Sequence, residues 1–227
     1  VSSMMLATAC QRLLRPLAPY HARCVRYLKP AMVFHANDAQ STARVLSTST
    51  GIIPGVSRSL DDVVKLELLQ GLEPSRVASI WESYHKDRDG VAGVAIPLAE
   101  HTLMMQRAKE SPMFLFPVRR DGGHFLLFSQ FDAKSSMFAM TYLEDYRRSP
   151  ESAPPWISVH LFGDLLDSKQ IGLMRAEADP DRLWRSEAEH LLLLLRRYYS
   201  TDAYDRAWAF NHAQRHFDID SYLDSCP

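Results

Sequence analysis

Between Pro112 and Asp179 the chain alternates short apolar runs with turn-forming residues, and that alternation restricts the folds open to it. Five runs are strand-length: Met113 to Val118 (MFLFPV), His124 to Phe131 (HFLLFSQF), Met137 to Tyr142 (MFAMTY), Trp156 to Phe162 (WISVHLF) and Ile171 to Ala178 (IGLMRAEA). Asp121-Gly122-Gly123 closes the first run, while Pro150 and Pro154-Pro155 precede the fourth. Such residues interrupt regular backbone and favour turns. The runs predict one twisted, mainly antiparallel sheet of about five strands. With helical periodicity before and after it, the fold class is α+β, with N-terminal and C-terminal helices packed on the sheet.

The helical period begins at Ser59, which can cap a helix with Asp62 at its third position. Leu60, Val63, Val64, Leu68 and Leu69 line one side until Gly71 stops the run. A second helix starts at Pro74 or Ser75, with Val77, Ile80, Trp81 and Tyr84 at the spacing of a buried stripe. A third starts at Pro97, a favoured first-turn proline, and runs to about Glu110 with Met104, Met105 and Ala108 as core filling. Beyond the strands, Ser186-Glu187-Ala188-Glu189 reads as a capping box ahead of five consecutive leucines, Leu191 to Leu195. That helix is apolar nearly all round and is expected to be the most deeply buried. A last helix covers about Asp202 to Arg215, and the tail from Phe217 to Leu223 is apolar enough to dock.

Charge is unevenly placed. Residues 1–50 hold six basic residues and one acid, a net +5, out of 26 basic and 27 acidic residues in all. The remainder, with 20 basic and 26 acidic residues, carries −6. An acidic folded part argues against a nucleic-acid partner, which needs clustered Lys and Arg for phosphates. Spaced arginines, few acids and apolar Leu13, Leu14 and Leu17 give residues 1–50 the composition of a mitochondrial transit peptide. A disordered basic leader is the alternative reading. Cys10, Cys24 and Cys226 lie outside the strand region, so no disulfide framework fits and a reducing compartment suits the chain. The leucine run is far short of the ~20 apolar residues that a membrane span requires.

Catalytic motifs are missing from the reading. No phosphate-binding glycine loop, dinucleotide fingerprint or G-x-S-x-G elbow occurs, and nothing marks a cofactor site. Asp87-Arg88-Asp89-Gly90 fails as a calcium loop, because His85 and Ile96 would occupy positions that need carboxylates. A turn is expected there. His212 and His216 share a helix face, but no third metal ligand is indicated.

The informative polar residues lie in the strands. Arg175 and Glu177 interrupt the fifth run and share a face under strict alternation. Arg119-Arg120 ends the first run, and Gln130 lies late in the second. A charge placed in a strand is costly unless paired. Two readings follow: an ion pair from Arg175 to an acid across the strand pair, or a polar patch at one end of the sheet that binds a partner.

Taken in order, the chain resembles the mitochondrial ATP synthase F1 assembly factor family that chaperones the β subunit. The likeness runs from Ser59-Leu60-Asp61-Asp62-Val63-Val64 and Ile80-Trp81-Glu82-Ser83-Tyr84 through Pro112 to Arg120 and Ser129-Gln130-Phe131. It continues through Thr141 to Tyr146, Ala153-Pro154-Pro155, Ile171 to Asp179, and His216-Phe217-Asp218-Ile219. Ala176 stands where the family usually has glycine. The resemblance covers about residues 58–224 and implies an assembly-factor domain there, without catalytic activity, cofactor or metal. It implies a protein of the mitochondrial matrix that binds the unassembled F1 β subunit and prevents its aggregation until the α subunit binds. Arg119, Arg120, Gln130, Arg175 and Glu177 are the expected partner-binding residues. A resident structural subunit of the synthase, derived from the same family, is the alternative.

Overall fold

Backbone alternation and packing sort the chain into a sheet with a helical layer on each face. The computed structural model describes residues 53–86 and 88–227, so the basic leader read over residues 1–50 lies outside the described residues. The strands are β1 (Val91–Pro97), β2 (Met113–Arg120), β3 (Gly123–Asp132), β4 (Met137–Tyr142), β5 (Pro155–Phe162) and β6 (Ile171–Ala178). The helices are α1 (Leu66–Gln70), α2 (Pro74–Lys86), α3 (Leu98–Glu110), α4 (Leu143–Arg148), α5 (Leu166–Lys169), α6 (Arg185–Ser200), α7 (Tyr204–His212) and α8 (Ile219–Ser225). The described residues 53–86, 88–120 and 124–227 make one compact unit that carries the sheet and these helices.

One six-stranded sheet forms in the order β1-β6-β5-β4-β3-β2, with β1 and β2 at its two edges. Neighbours run antiparallel at β1–β6, β6–β5, β5–β4 and β4–β3. The α+β expectation and the antiparallel sheet therefore hold. β1 is the strand that the apolar runs did not disclose. Its register places Gly93 opposite Arg175 and Val91 opposite Glu177.

Alternation divides the side chains of β6 between two cores. Leu173 faces the N-terminal helices, in a cluster with Leu60, Leu69, Val77, Trp81, Phe162 and Leu165. The opposite face meets the C-terminal helices. There Phe138 packs on Tyr199 and Phe114 on Tyr198, each with ring centroids 5.0 Å apart. Phe114, Phe116, Phe138 and Tyr199 are all under 2% exposed. Burying an aromatic or large aliphatic side chain contributes about 1.5–3 kcal/mol relative to exposure, so this face holds α6 firmly. Helix α3 joins the same layer, with the His101 ring over Gly172, where an added Cβ would lie 2.5 Å from Cδ2 of that ring.

Several helical expectations are refined. The helix expected from Ser59 to Gly71 is a 3-10 turn at Leu60–Asp62 followed by α1, and Asp62 accepts from the Ser59 N–H at 2.8 Å. Helix α6 is capped at Trp184, two residues before the predicted cap Ser186. Glu187, not Glu189, accepts from the backbone N–H that precedes the helix, Trp184 N–H at 2.7 Å, while Glu189 pairs with Arg185. The leucine helix is also one-sided: Leu191, Leu192, Leu194 and Leu195 are buried, but Leu193 is 55% exposed. The tail docks as α8, with buried Tyr222 donating its hydroxyl to the Leu115 carbonyl at 2.6 Å.

Candidate partner-binding surface

The two charges in β6 are buried in a polar cluster beneath α2. Arg175 Nε donates to Glu177 Oε1 at 2.8 Å, so its acid lies two residues along the same strand rather than across the strand pair. Glu177 Oε2 accepts from Arg58 Nε at 2.9 Å, and the carboxylate thus sits between two guanidinium groups. Arg175 Nη1 donates to His85 Nε2 at 2.9 Å. An arginine only donates, so Nε2 is the lone-pair nitrogen and Nδ1 carries the proton, given at 2.6 Å to the Trp81 carbonyl. Burial pushes the His85 imidazole down to about 4, with the Arg175 and Arg88 charges acting in the same direction. It is neutral at physiological pH.

Small residues make this approach possible. An added Cβ at Gly93 would lie 2.6 Å from His85 Nδ1 and 2.8 Å from Trp81 Nε1. On the other side of Arg175, His160 of β5 donates from Nε2 to the Val56 carbonyl at 3.1 Å, and burial lowers its pKa as well. The cluster therefore ties residues 56–58 and α2 to the middle of β6. Arg175 is 8% exposed and Glu177 fully buried, so their chemistry is spent on one another and on the fold.

The remaining expected residues lie elsewhere on the sheet. Arg119 donates to the carbonyls of Leu223 and Cys226 and so holds the end of α8. Arg120 grips Glu187 with two hydrogen bonds, 2.6 and 2.8 Å long, and donates to the Arg182 carbonyl. Gln130 is exposed on β3, opposite Ala139 of β4. Since β6 and β2 are separated by three strands, the arginine pair at the end of β2 and the Arg175–Glu177 pair are about 19 Å apart across the sheet. They do not form one patch. His212 Nε2 lies 3.1 Å from the Glu110 carbonyl and 3.3 Å from Ser111 Oγ, which accounts for it without a metal. Among the described residues no group of His, Cys, Asp and Glu is arranged to hold an ion, and no helix is long and apolar enough to cross a membrane.

A concave surface does exist, and neither motif nor period pointed to it. A groove of about 570 Å³ runs along the open edge of β1 between α2 and α6. Its floor is Ala92, Gly93 and Val94; one wall is Ser79, Glu82, Ser83 and Lys86, and the other is the Arg185–Glu189 ion pair with Leu192 and Leu193. His85 lines it as well as Ser79 and Ser83; the Ser79 hydroxyl donates to the Ser75 carbonyl at 3.1 Å and the His85 ring is held by Trp81 and Arg175. Arg58 and His85, which anchor its support, are 119 and 90 residues from Glu177 and Arg175, their partners in the chain. No local pattern could have joined them.

Comparison with known proteins supplies the relationship. The chain is 28% identical over 153 residues to "Protein atp11, mitochondrial" of Schizosaccharomyces pombe, a match covering 65% of this chain and 51% of that one. It is 24% identical over 163 residues to "ATP synthase mitochondrial F1 complex assembly factor 1" of Danio rerio, covering 70% and 53%. The protein of the same name from Homo sapiens is 26% identical over 145 residues, covering 64% and 43%. The chain thus spans about half the length of the curated relatives it matches. The family model described as "ATP11 protein" matches residues 29–220, which takes in all six strands and the packing helices on both faces. On a match of that extent, the chain belongs to the ATP11 protein family.

Proposed function

We propose that this protein is an assembly factor for the F1 head of a mitochondrial ATP synthase. In this reading it binds the unassembled β subunit in the matrix, keeps it from aggregating, and yields it when α binds. The observation that carries the proposal is the family match over residues 29–220, joined to relatives whose names describe F1 assembly. The physical need is general: a subunit built for a large interface exposes apolar surface when alone, and such surface aggregates. A rigid sheet clamped between two helical layers offers a platform that need not reorder to bind. The role is therefore binding, with no substrate transformed.

The five expected residues divide by burial. Gln130 is proposed to touch the partner directly, since its side chain stands exposed on β3. Arg119, Arg120, Arg175 and Glu177 are proposed to contribute by positioning, through α8, α6 and the 56–58 segment that they hold. The test is recovery of the tagged chain from a mitochondrial matrix extract. Free β subunit without stoichiometric synthase is expected. Recovery of whole synthase would make the chain a resident component, and recovery of neither would remove the proposal. Gln130→Arg is expected to lower β recovery at an unchanged melting temperature; unchanged recovery would remove Gln130 from the contact.

A further inference from the structure

We propose that the open edge of β1 takes up an extended segment of the client subunit as an added strand. This rests on the assembly-factor reading for the identity of the client. The argument starts from the β1–β6 ladder. Just outside the strand ends, the Ala178 N–H donates to the Gly90 carbonyl at 2.7 Å and the Leu98 N–H to the Gln170 carbonyl at 2.8 Å. Antiparallel pairs alternate between bonded and non-bonded, so the even-numbered residues of β1 bond to β6. Val91, Gly93 and Ala95 then turn their N–H and C=O groups away from the sheet. Among the described residues, none supplies a hydrogen-bond partner to those outward groups. Pro97, which has no N–H, ends the row.

Edges of this kind are normally protected by charge, by bulges or by a covering element, because they template strand addition. β1 reads VAGVAIP and has none of the first. Instead its edge is the floor of the groove between α2 and α6. Gly93 is partly exposed there, and Ala95, next along the outward row, is partly exposed as well. Main-chain pairing gives such a site affinity, and the walls give it selectivity.

The walls specify the occupant. On α2, Glu82 and Lys86 are exposed, one turn apart, and outside every ion pair formed among the described residues. One helical turn is about 5.4 Å, and alternate residues of a strand are about 7 Å apart. A strand with a base and an acid two positions apart therefore meets both charges with the face it turns to α2. Its other face meets α6, where Arg185 and Glu189 neutralise one another at 2.9 Å and Leu192 and exposed Leu193 supply the contact, so that face is aliphatic. The occupant is an amphipathic strand, charged on one face and aliphatic on the other. A second copy of β1 does not fit, since its sequence has no charge and its own α2 and α6 would collide with those of the first.

The test uses the whole chain and unassembled F1 β subunit, with amide hydrogen exchange as the readout. On binding, the Gly93 and Ala95 amides are expected to slow at least tenfold. Ala92 and Val94, already bonded to β6, are expected to change little. Ala95→Pro removes one outward donor and leaves the β6 ladder whole, and Leu193→Lys puts a charge on the apolar wall; each is expected to weaken binding at least tenfold. Leu68→Lys, at a 70% exposed leucine that does not line the groove, is expected to bind as the parent does. Binding of β with unchanged exchange at Gly93 and Ala95 would overturn the edge proposal alone. Failure of β to bind would overturn it together with the assembly-factor reading. Slowed exchange in the chain by itself, rising with its concentration, would assign the edge to self-association and overturn the proposal.

Discussion

Removing the Glu177 carboxylate leaves two guanidinium groups without their shared anion. The side chain of Arg58 is 24% exposed and regains water, whereas that of Arg175 is 10% exposed and retains only neutral His85 as a partner. Breaking a buried pair by deleting one member costs about 3–5 kcal/mol, mainly through the charge left behind. With one of the two arginines able to resolvate, Glu177→Ala is placed at the low end, about 3 kcal/mol. For a domain of this size each kcal/mol moves the melting temperature by about 2–4 °C, giving a fall of roughly 6–12 °C. The double variant Arg175→Leu/Glu177→Leu removes the stranded charge and is expected to melt well above Glu177→Ala, because apolar replacement of a buried pair is often neutral or better. Calorimetry or circular dichroism of the two proteins decides it. If Glu177→Ala melts with the parent, or the double variant melts below the single, the cluster does not hold the N-terminal layer as described.

Other perturbations bear on the same packing. Because burial holds the folded-state pKa of His85 near 4, below its ordinary 6.5, the unfolded chain binds the proton more readily between those values. Stability is therefore full above pH 6.5 and falls as pH drops toward 4, by about 3 kcal/mol for this group, with His101 and His160 adding in the same sense. Urea titrations at pH 7, 6, 5 and 4.5 check the slope, and a flat profile would contradict it. Gly93→Ala pushes a methyl group into the His85 and Trp81 rings and is expected to cost about 1–3 kcal/mol, read as a lowered urea midpoint. Tyr222→Phe leaves the buried Leu115 carbonyl without its donor, at about 1–3 kcal/mol. Limited proteolysis should then cut around α8 faster than in the parent, and equal rates would separate that hydrogen bond from docking of the tail.

What could be read from residues alone follows from how each element is covered. β2 to β6 announce themselves because their aromatic and aliphatic runs are bounded by glycine and proline, and five of five became strands. β1 escaped because its positions are small: Ala92, Gly93 and Ala95 have no apolar bulk to signal burial. That smallness is itself structural, since Trp81 and His85 occupy the space a side chain at Gly93 would need. Strict alternation correctly put Arg175 and Glu177 on one face. Their burial, and their link to Arg58 and His85, required the long-range packing of α2 that no local period encodes. The start of α6 was misjudged for a similar reason. Two glutamates competed for the cap, and Arg120, 67 residues upstream, binds Glu187.

In the proposed reading, the β1 groove and the exposed Gln130 are where the sheet meets its client. The buried arginine–glutamate cluster supports the groove from behind, through α2. On this account the sheet is a preformed platform, and a client gains affinity without paying to order it.

The most direct test dilutes denatured F1 β subunit into buffer and follows light scattering with and without the purified chain. At an equimolar ratio the chain is expected to suppress most of the scattering, and addition of the α subunit is expected to release β into α–β complexes. Scattering unchanged by the chain, with normal α–β assembly in its absence, would contradict the account.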